Sequence, residues 1–154
     1  MGVLYRVVRQ KYADRPLDAA GSRLNGGRWN PPGVGILYTA EHPALALVEI
    51  LVHLPKVPYD ELPTYRLFAL DVPDDRRVLS AEELLSYWNE NTYARSQFIL
   101  RDWLAEPDCL ALGVPSSVLP DGLNFLLHAN HPRYTDIRVI DEKPLVIDAR
   151  LWQG

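Results

Sequence analysis

Ile36-Leu37-Tyr38-Thr39-Ala40-Glu41-His42-Pro43-Ala44-Leu45-Ala46-Leu47-Val48-Glu49-Ile50-Leu51-Val52 is the stretch that decides the fold class. Ile36 to Thr39 is apolar, aromatic or β-branched and reads as a short buried strand. A proline is tolerated in the first helical turn, where its missing N–H would have no partner, so a helix opens at Pro43 and runs through Val52. That helix is apolar around nearly its whole circumference, which predicts burial. One carboxylate, Glu49, stands in its middle.

Upstream of this unit, Leu4 to Val8 reads as a first strand interrupted by Arg6, and Gln10 to Gly35 reads as loop. Downstream, Thr64 to Val72 alternates well enough for a strand. Ser80-Ala81-Glu82-Glu83 is a capping box ahead of Leu84, Leu85, Tyr87 and Trp88, so a helix is expected there. A further helix is expected over Tyr93 to Leu104. Strand-like runs follow at Cys109 to Val118, Asn124 to Leu127 and Ile137 to Ile140, with a last short one at Leu145 to Ile147. Asp74-Asp75-Arg76-Arg77 reads as a solvated turn. Strands, then helices, then more strands imply an α+β fold: a mixed or antiparallel sheet core with flanking helices, not a doubly wound one.

The 154 residues fit one domain, residues 1–154, and Pro is scattered rather than gathered into a linker. A net charge of −4 argues against a broad nucleic-acid surface but leaves room for a local basic pocket. One cysteine, Cys109, rules out an internal disulfide and suits a reducing compartment. The first residues lack a signal-peptide layout, and no apolar run reaches membrane-spanning length, so a cytoplasmic location is expected.

Glu49 is the most informative residue. A carboxylate on an apolar helix is costly unless paired or hydrogen-bonded, and this helix offers no Lys or Arg at i±3 or i±4, only His53 at i+4. Glu49 therefore finds a distant partner, faces a cleft, or is protonated. Arg28 sits in Gly26-Gly27-Arg28-Trp29-Asn30-Pro31-Pro32, where the glycines widen the backbone's options and the prolines stiffen the exit. Such a loop presents a guanidinium and N–H groups to a phosphate or carboxylate; the plain alternative is a solvated turn. Tyr38 ends the short strand, suited to stacking on a flat ring or to core packing. Pro115-Ser116-Ser117 lacks a nucleophile elbow, so Ser116 reads as a positioning or turn residue. His42, His53, His128 and His131 have no standard metal-ligand spacing, and Cys109 lies in an apolar run as a core residue.

Tyr5-Arg6-Val7, Gly26-Gly27-Arg28-Trp29-Asn30, Ile36-Leu37-Tyr38-Thr39-Ala40, Ala46-Leu47-Val48-Glu49, Val114-Pro115-Ser116, Asn124-Phe125-Leu126-Leu127 and His131-Pro132 occur in that order. The ordered set resembles the RES-domain family, from about Leu4 to Asp148-Ala149-Arg150-Leu151. The resemblance implies a toxin of a bacterial toxin–antitoxin pair, with a fold similar to the ADP-ribosyltransferase toxins. It implies NAD as substrate rather than cofactor, and an Xre-type helix-turn-helix antitoxin as partner. Carried over by position, the family's Arg falls on Arg28, its Tyr on Tyr38, its Glu on Glu49 and its Ser on Ser116, with Asn124 at a further polar position. One departure is visible: where the family often has a second Asn-Pro, this chain has His128-Ala129-Asn130.

NAD chemistry fits a single acid. Nicotinamide leaves the ribose as a neutral molecule, so the paired acids of ordinary glycosidases are not required. The expected roles follow. Glu49 stabilises the cationic ribose; Arg28 holds the pyrophosphate or orients the ribose; Tyr38 packs on the nicotinamide. Ser116 and Asn124 anchor amide or ribose groups, and Arg6 is a further phosphate candidate. No metal, membrane or direct nucleic-acid contact is expected. The acceptor is open between water, phosphate and a protein side chain, the last being mono-ADP-ribosylation. The non-catalytic alternative is a binding domain whose Glu49 sits in a structural ion pair.

Overall fold

The computed structural model describes residues 2–80, 82–84 and 93–152. It contains one seven-stranded sheet: β1 (Gly2–Arg9), β2 (Ile36–Ala40), β3 (Tyr65–Val72), β4 (Arg76–Val78), β5 (Ala111–Pro115), β6 (Leu123–His128) and β7 (Arg138–Leu145). Strand order is β4-β5-β6-β2-β1-β3-β7, antiparallel except for the parallel β4–β5 pair. The helices are α1 (Ala20–Asn25), α2 (Pro43–Leu51), α3 (Ala94–Ile99) and α4 (Arg101–Ala105). This is the expected α+β architecture with a mixed sheet.

Most neighbouring strands pair along their length, as β1 does with β3 from Gly2↔Val72 to Arg9↔Tyr65. β1 and β2 instead meet at one register pair, Tyr5↔Ala40. The sheet is thus split between β1 and β2. The edge of β2 along the split is satisfied by side chains: Ser22 Oγ donates to Ile36 O (2.6 Å) and accepts from Ile36 N (2.8 Å), and Arg6 Nη1 donates to Tyr38 O (3.1 Å). One face of the sheet is closed beneath the split by a core containing Leu4 and Val8 of β1, Leu37 of β2, Phe68 and Leu70 of β3, and Phe125 and Leu127 of β6. On the other face, α4 with Leu100 and Trp29 covers Ile36, Leu112 and Leu126, while Leu45 and Ala46 of α2 pack on Ala40 and Leu67.

The local signals explain most elements. His42 caps α2 by accepting from Ala44 N at 3.0 Å, and Pro43 takes the first turn, as expected. The capping box is made in both directions, Ser80 N to Glu83 Oε1 (3.0 Å) and Glu83 N to Ser80 Oγ (3.3 Å); the helix expected beyond it falls largely on 85–92, outside the described residues.

Several expectations are corrected. The segment read as loop before Gly35 contains α1, which Asp18 starts by accepting from Ala20 N (2.9 Å) and Gly26 ends at φ 71°. The supposed turn at Asp74–Arg77 leads straight into β4, where the Arg76 guanidinium lies 5.3 Å from the centre of the Phe125 ring and its Nη2 donates to Gly2 O at 3.0 Å. The helix expected over Tyr93–Leu104 breaks at Leu100 (φ −94°, ψ 6°) into α3 and α4. In place of separate strands at Ile137–Ile140 and Leu145–Ile147 there is one edge strand, β7, which runs from Arg138 to Leu145 and leaves Val146 and Ile147 beyond its end. The α2 helix is not wholly buried: Leu45 and Ala46 are, whereas Leu47 to Leu51 are half-buried. Among the described residues no helix is long and apolar enough to cross a membrane.

Candidate active site

A cleft of about 740 Å³ opens along the split in the sheet. Arg6 of β1, Arg28 of the glycine loop, Tyr38 of β2, Glu49 of α2 and Asn124 of β6 all line it. Its volume lies in the ~300–1,000 Å³ range usual for small-molecule sites.

Glu49 projects from the half-buried side of α2 into this cleft. Its Oε1 accepts from the Ser116 hydroxyl and from Asn124 Nδ2 (2.9 Å). Ser116 is fully buried, and its oxygen accepts in turn from Val118 N (3.1 Å) and Leu119 N (3.0 Å). Those two amides orient the hydroxyl so that its hydrogen points at the carboxylate. Asn124 is held at the cleft floor by its register partners, Ala40 on β2 and Val114 on β5. Among the described residues its buried Oδ1 has no hydrogen-bond partner, an unmet cost that calls for an explanation such as a ligand contact. Among the described residues no cation forms an ion pair with Glu49, which leaves the structural ion-pair alternative without its partner. Ser116 does not line the cleft. Its hydroxyl is directed to Glu49, and of the Ser116–Ser117 pair it is Ser117 that lines the cavity.

The Arg28 loop is built around Asn30, which is fully buried. Asn30 Nδ2 donates to Val34 O (2.9 Å), Ser22 O and Pro31 O (both 3.2 Å), and its Oδ1 accepts from the Tyr38 hydroxyl. The Tyr38 oxygen also accepts from Trp29 N at 3.2 Å. Gly27 is required here: a Cβ would stand 2.7 Å from that oxygen. Burial pushes the Tyr38 hydroxyl well above the usual tyrosine pKa, outweighing its hydrogen bonds with Trp29 and Asn30. Tyr38 therefore stays neutral, its hydroxyl spent on the loop while its ring lines the cleft. The Arg28 guanidinium lies 4.8 Å from the centre of the Tyr93 ring.

Arg6 also lines the cleft, with Nε on Pro16 O (3.0 Å) and Nη1 on Tyr38 O. Burial lowers its pKa from the ordinary arginine value. Two of its nitrogens thus serve the main chain, so a structural duty precedes any contact with phosphate. The departing segment His128-Ala129-Asn130 is structural as well: His128 is fully buried, with Nε2 on Leu104 O (2.9 Å) and Nδ1 accepting from Asn130 N (3.1 Å). Burial lowers its pKa, more than the bond to Leu104 raises it. Among the described residues no group of three or more His, Cys, Asp or Glu is placed to hold a metal ion.

Asn30, Ser96 and Gln97 escaped the sequence reading. Asn30 was visible only as the last residue of the glycine loop motif, and nothing local marked the two α3 residues.

The model of the family described as "RES domain" matches residues 3–148. "Toxin Res" of Photorhabdus laumondii is 33% identical over 129 residues, covering 82% of this chain and 81% of that one. "Prs ADP-ribosylating toxin" of a Sphingobium species is 31% identical over 148 residues, covering 91% and 89%. Among solved structures, a chain of the M. tuberculosis MbcT–MbcA toxin–antitoxin complex superposes with a TM-score of 0.73 at 19% identity, over 94% of this chain and 84% of that one. That last likeness is one of fold.

Proposed function

Because the chain belongs to the RES-domain family, we propose that it is the toxin of a bacterial toxin–antitoxin pair and that it breaks the nicotinamide–ribose bond of NAD. The observation that carries this reading is Glu49: a carboxylate on the cleft wall, held by two neutral donors and by no cation among the described residues. No fixed cation among the described residues competes with a ligand for that carboxylate. NAD supplies what such a site complements, with a cationic nicotinamide ribose at one end and a pyrophosphate between its nucleosides. Arg28 provides a planar donor fork for the pyrophosphate, and Arg6 adds positive charge on the opposite strand. The Tyr38 ring supports the nicotinamide, and Asn124 and Ser117 meet the ribose or the amide. As the bond breaks, nicotinamide departs neutral and Glu49 faces the positive charge that develops on the ribose.

The test is nicotinamide release from NAD by the purified protein. Glu49→Gln keeps the shape and removes the charge; turnover should fall by ~10²–10³-fold, the usual cost of a preorganised electrostatic contact. A Glu49→Gln protein within a few-fold of the parent would refute the role.

A second reading keeps the site and changes the acceptor. The Sphingobium relative is named an ADP-ribosylating toxin, which favours a protein side chain over water or phosphate. Labelled NAD with a lysate, and product analysis with and without phosphate, separates the three. The partner implied is an antitoxin of the Xre helix-turn-helix type, to be sought by co-purification with the product of an adjacent gene.

A further inference from the structure

The loop that carries Arg28 is gripped by α3 and the residue before it, Tyr93, whose side chain also lines the cleft. Gln97 Nε2 donates to Gly27 O (2.8 Å) and to Asn30 O (3.1 Å), so one amide group spans Arg28 on both sides. Ser96, fully buried, donates its hydroxyl to the carbonyl of Arg28 itself. Tyr93 sets its ring against the Arg28 guanidinium. These residues stand at i, i+3 and i+4, the spacing that puts side chains on one helical face. A single helical turn therefore contacts both the main chain and the side chain of Arg28.

We propose that α3 is the positioning element of Arg28: Gln97 and Ser96 fix its loop, and Tyr93 orients its guanidinium. The identity of the ligand rests on the NAD reading; the positioning does not. The physical need is plain. Two consecutive glycines leave the loop unusually free, and ordering such a backbone costs conformational entropy. A guanidinium on an unrestrained loop meets that cost at every binding event. The grip from α3 meets it on folding, which is the benefit of preorganisation. Gln97 suits the task because one NH2 group carries two hydrogens for two carbonyls. Tyr93 suits its own because an aromatic face attracts a guanidinium without sequestering its N–H donors.

The experiment compares the parent with Gln97→Met, Tyr93→Phe and Tyr93→Leu, each with Arg28 present and with Arg28→Ala. Amide hydrogen exchange is read at residues 26–30, and kcat and KM for NAD are measured in parallel. Gln97→Met should speed exchange at Gly27 and Trp29 about tenfold, the scale of one lost hydrogen bond, while the β2 and β6 amides keep their rates. Its KM should rise more than its kcat falls. Tyr93→Phe keeps the ring and should match the parent; Tyr93→Leu should raise KM several-fold. With Arg28→Ala these kinetic differences should vanish, since residues acting through one group are non-additive. Unchanged exchange at 26–30 in Gln97→Met, or kinetic losses that persist in full without Arg28, would overturn the proposal. If Gln97→Met does not fold, the exposed Tyr93 pair decides. A parent that releases no nicotinamide overturns the NAD reading alone, and the exchange result then decides this one.

Discussion

Ser116→Ala isolates the support of the Glu49 carboxylate, the proposed catalytic group, from the carboxylate itself. The hydroxyl removed is one of the two donors recorded on Glu49, and it is buried. A hydrogen bond to a charged group is worth about 1.5–3 kcal/mol. If most of that is expressed when positive charge develops opposite Glu49, kcat should drop by ~10–100-fold at 1.4 kcal/mol per decade. The amides of Val118 and Leu119 also lose their acceptor. Leu119 is half-exposed, so water replaces part of what is lost and the stability cost is held to about 1–2 kcal/mol. A domain with ~5–15 kcal/mol of stability stays folded under that loss. Urea unfolding therefore separates the two effects: a modest shift in midpoint beside a large fall in kcat. KM should move little, because Ser116 does not line the cleft. A folded Ser116→Ala protein with kcat within threefold of the parent, or one whose KM alone changes, would refute the assigned support.

Two further expectations rest on the same geometry. Gly27→Ala puts a methyl 2.7 Å from the Tyr38 hydroxyl oxygen and should cost ~1–3 kcal/mol in thermal unfolding together with most of the turnover, whereas Gly35→Ala meets the movable end of Arg23 and, at 3.3 Å, the Ala129 methyl, and should cost less and spare the turnover; equal melting temperatures for the two variants would contradict this. His128 has its folded-state pKa depressed below 6.5 by burial, so its contribution to stability is present above the unfolded value and is lost as pH falls through the folded one. Urea midpoints should decline below about pH 6.5, and an NMR titration placing the His128 imidazole at or above that value would disprove the assignment.

Local signals made some of this legible and hid the rest. The strand–proline–helix unit at 36–52 declared itself because its signals lie within one turn of each other. Glu49 stood out because nothing on its own helix could neutralise it. Its actual partners lie 67 and 75 residues away, a distance no spacing rule spans. Gln97 and Asn30 form the same kind of long-range pair, 67 residues apart. α1 is too short for periodicity to register. β7 looked like two fragments because an edge strand packs one side only and admits Pro144 and charged residues along its length. β4 looked like a turn because its two arginines are satisfied by groups outside the run, Arg76 by Gly2 O and the Phe125 ring and Arg77 by Glu83.

The split between β1 and β2 places activity and stability in opposition. Each strand is a ready template for the other, and every extra rung would add main-chain hydrogen bonds while narrowing the cavity. Ser22 and Arg6 prevent this by occupying the β2 edge with side-chain atoms. Selection for thermal robustness alone would thus tend to zip the seam shut. Those two positions are where an engineered stabilisation of this fold would close the cleft that the proposed function needs.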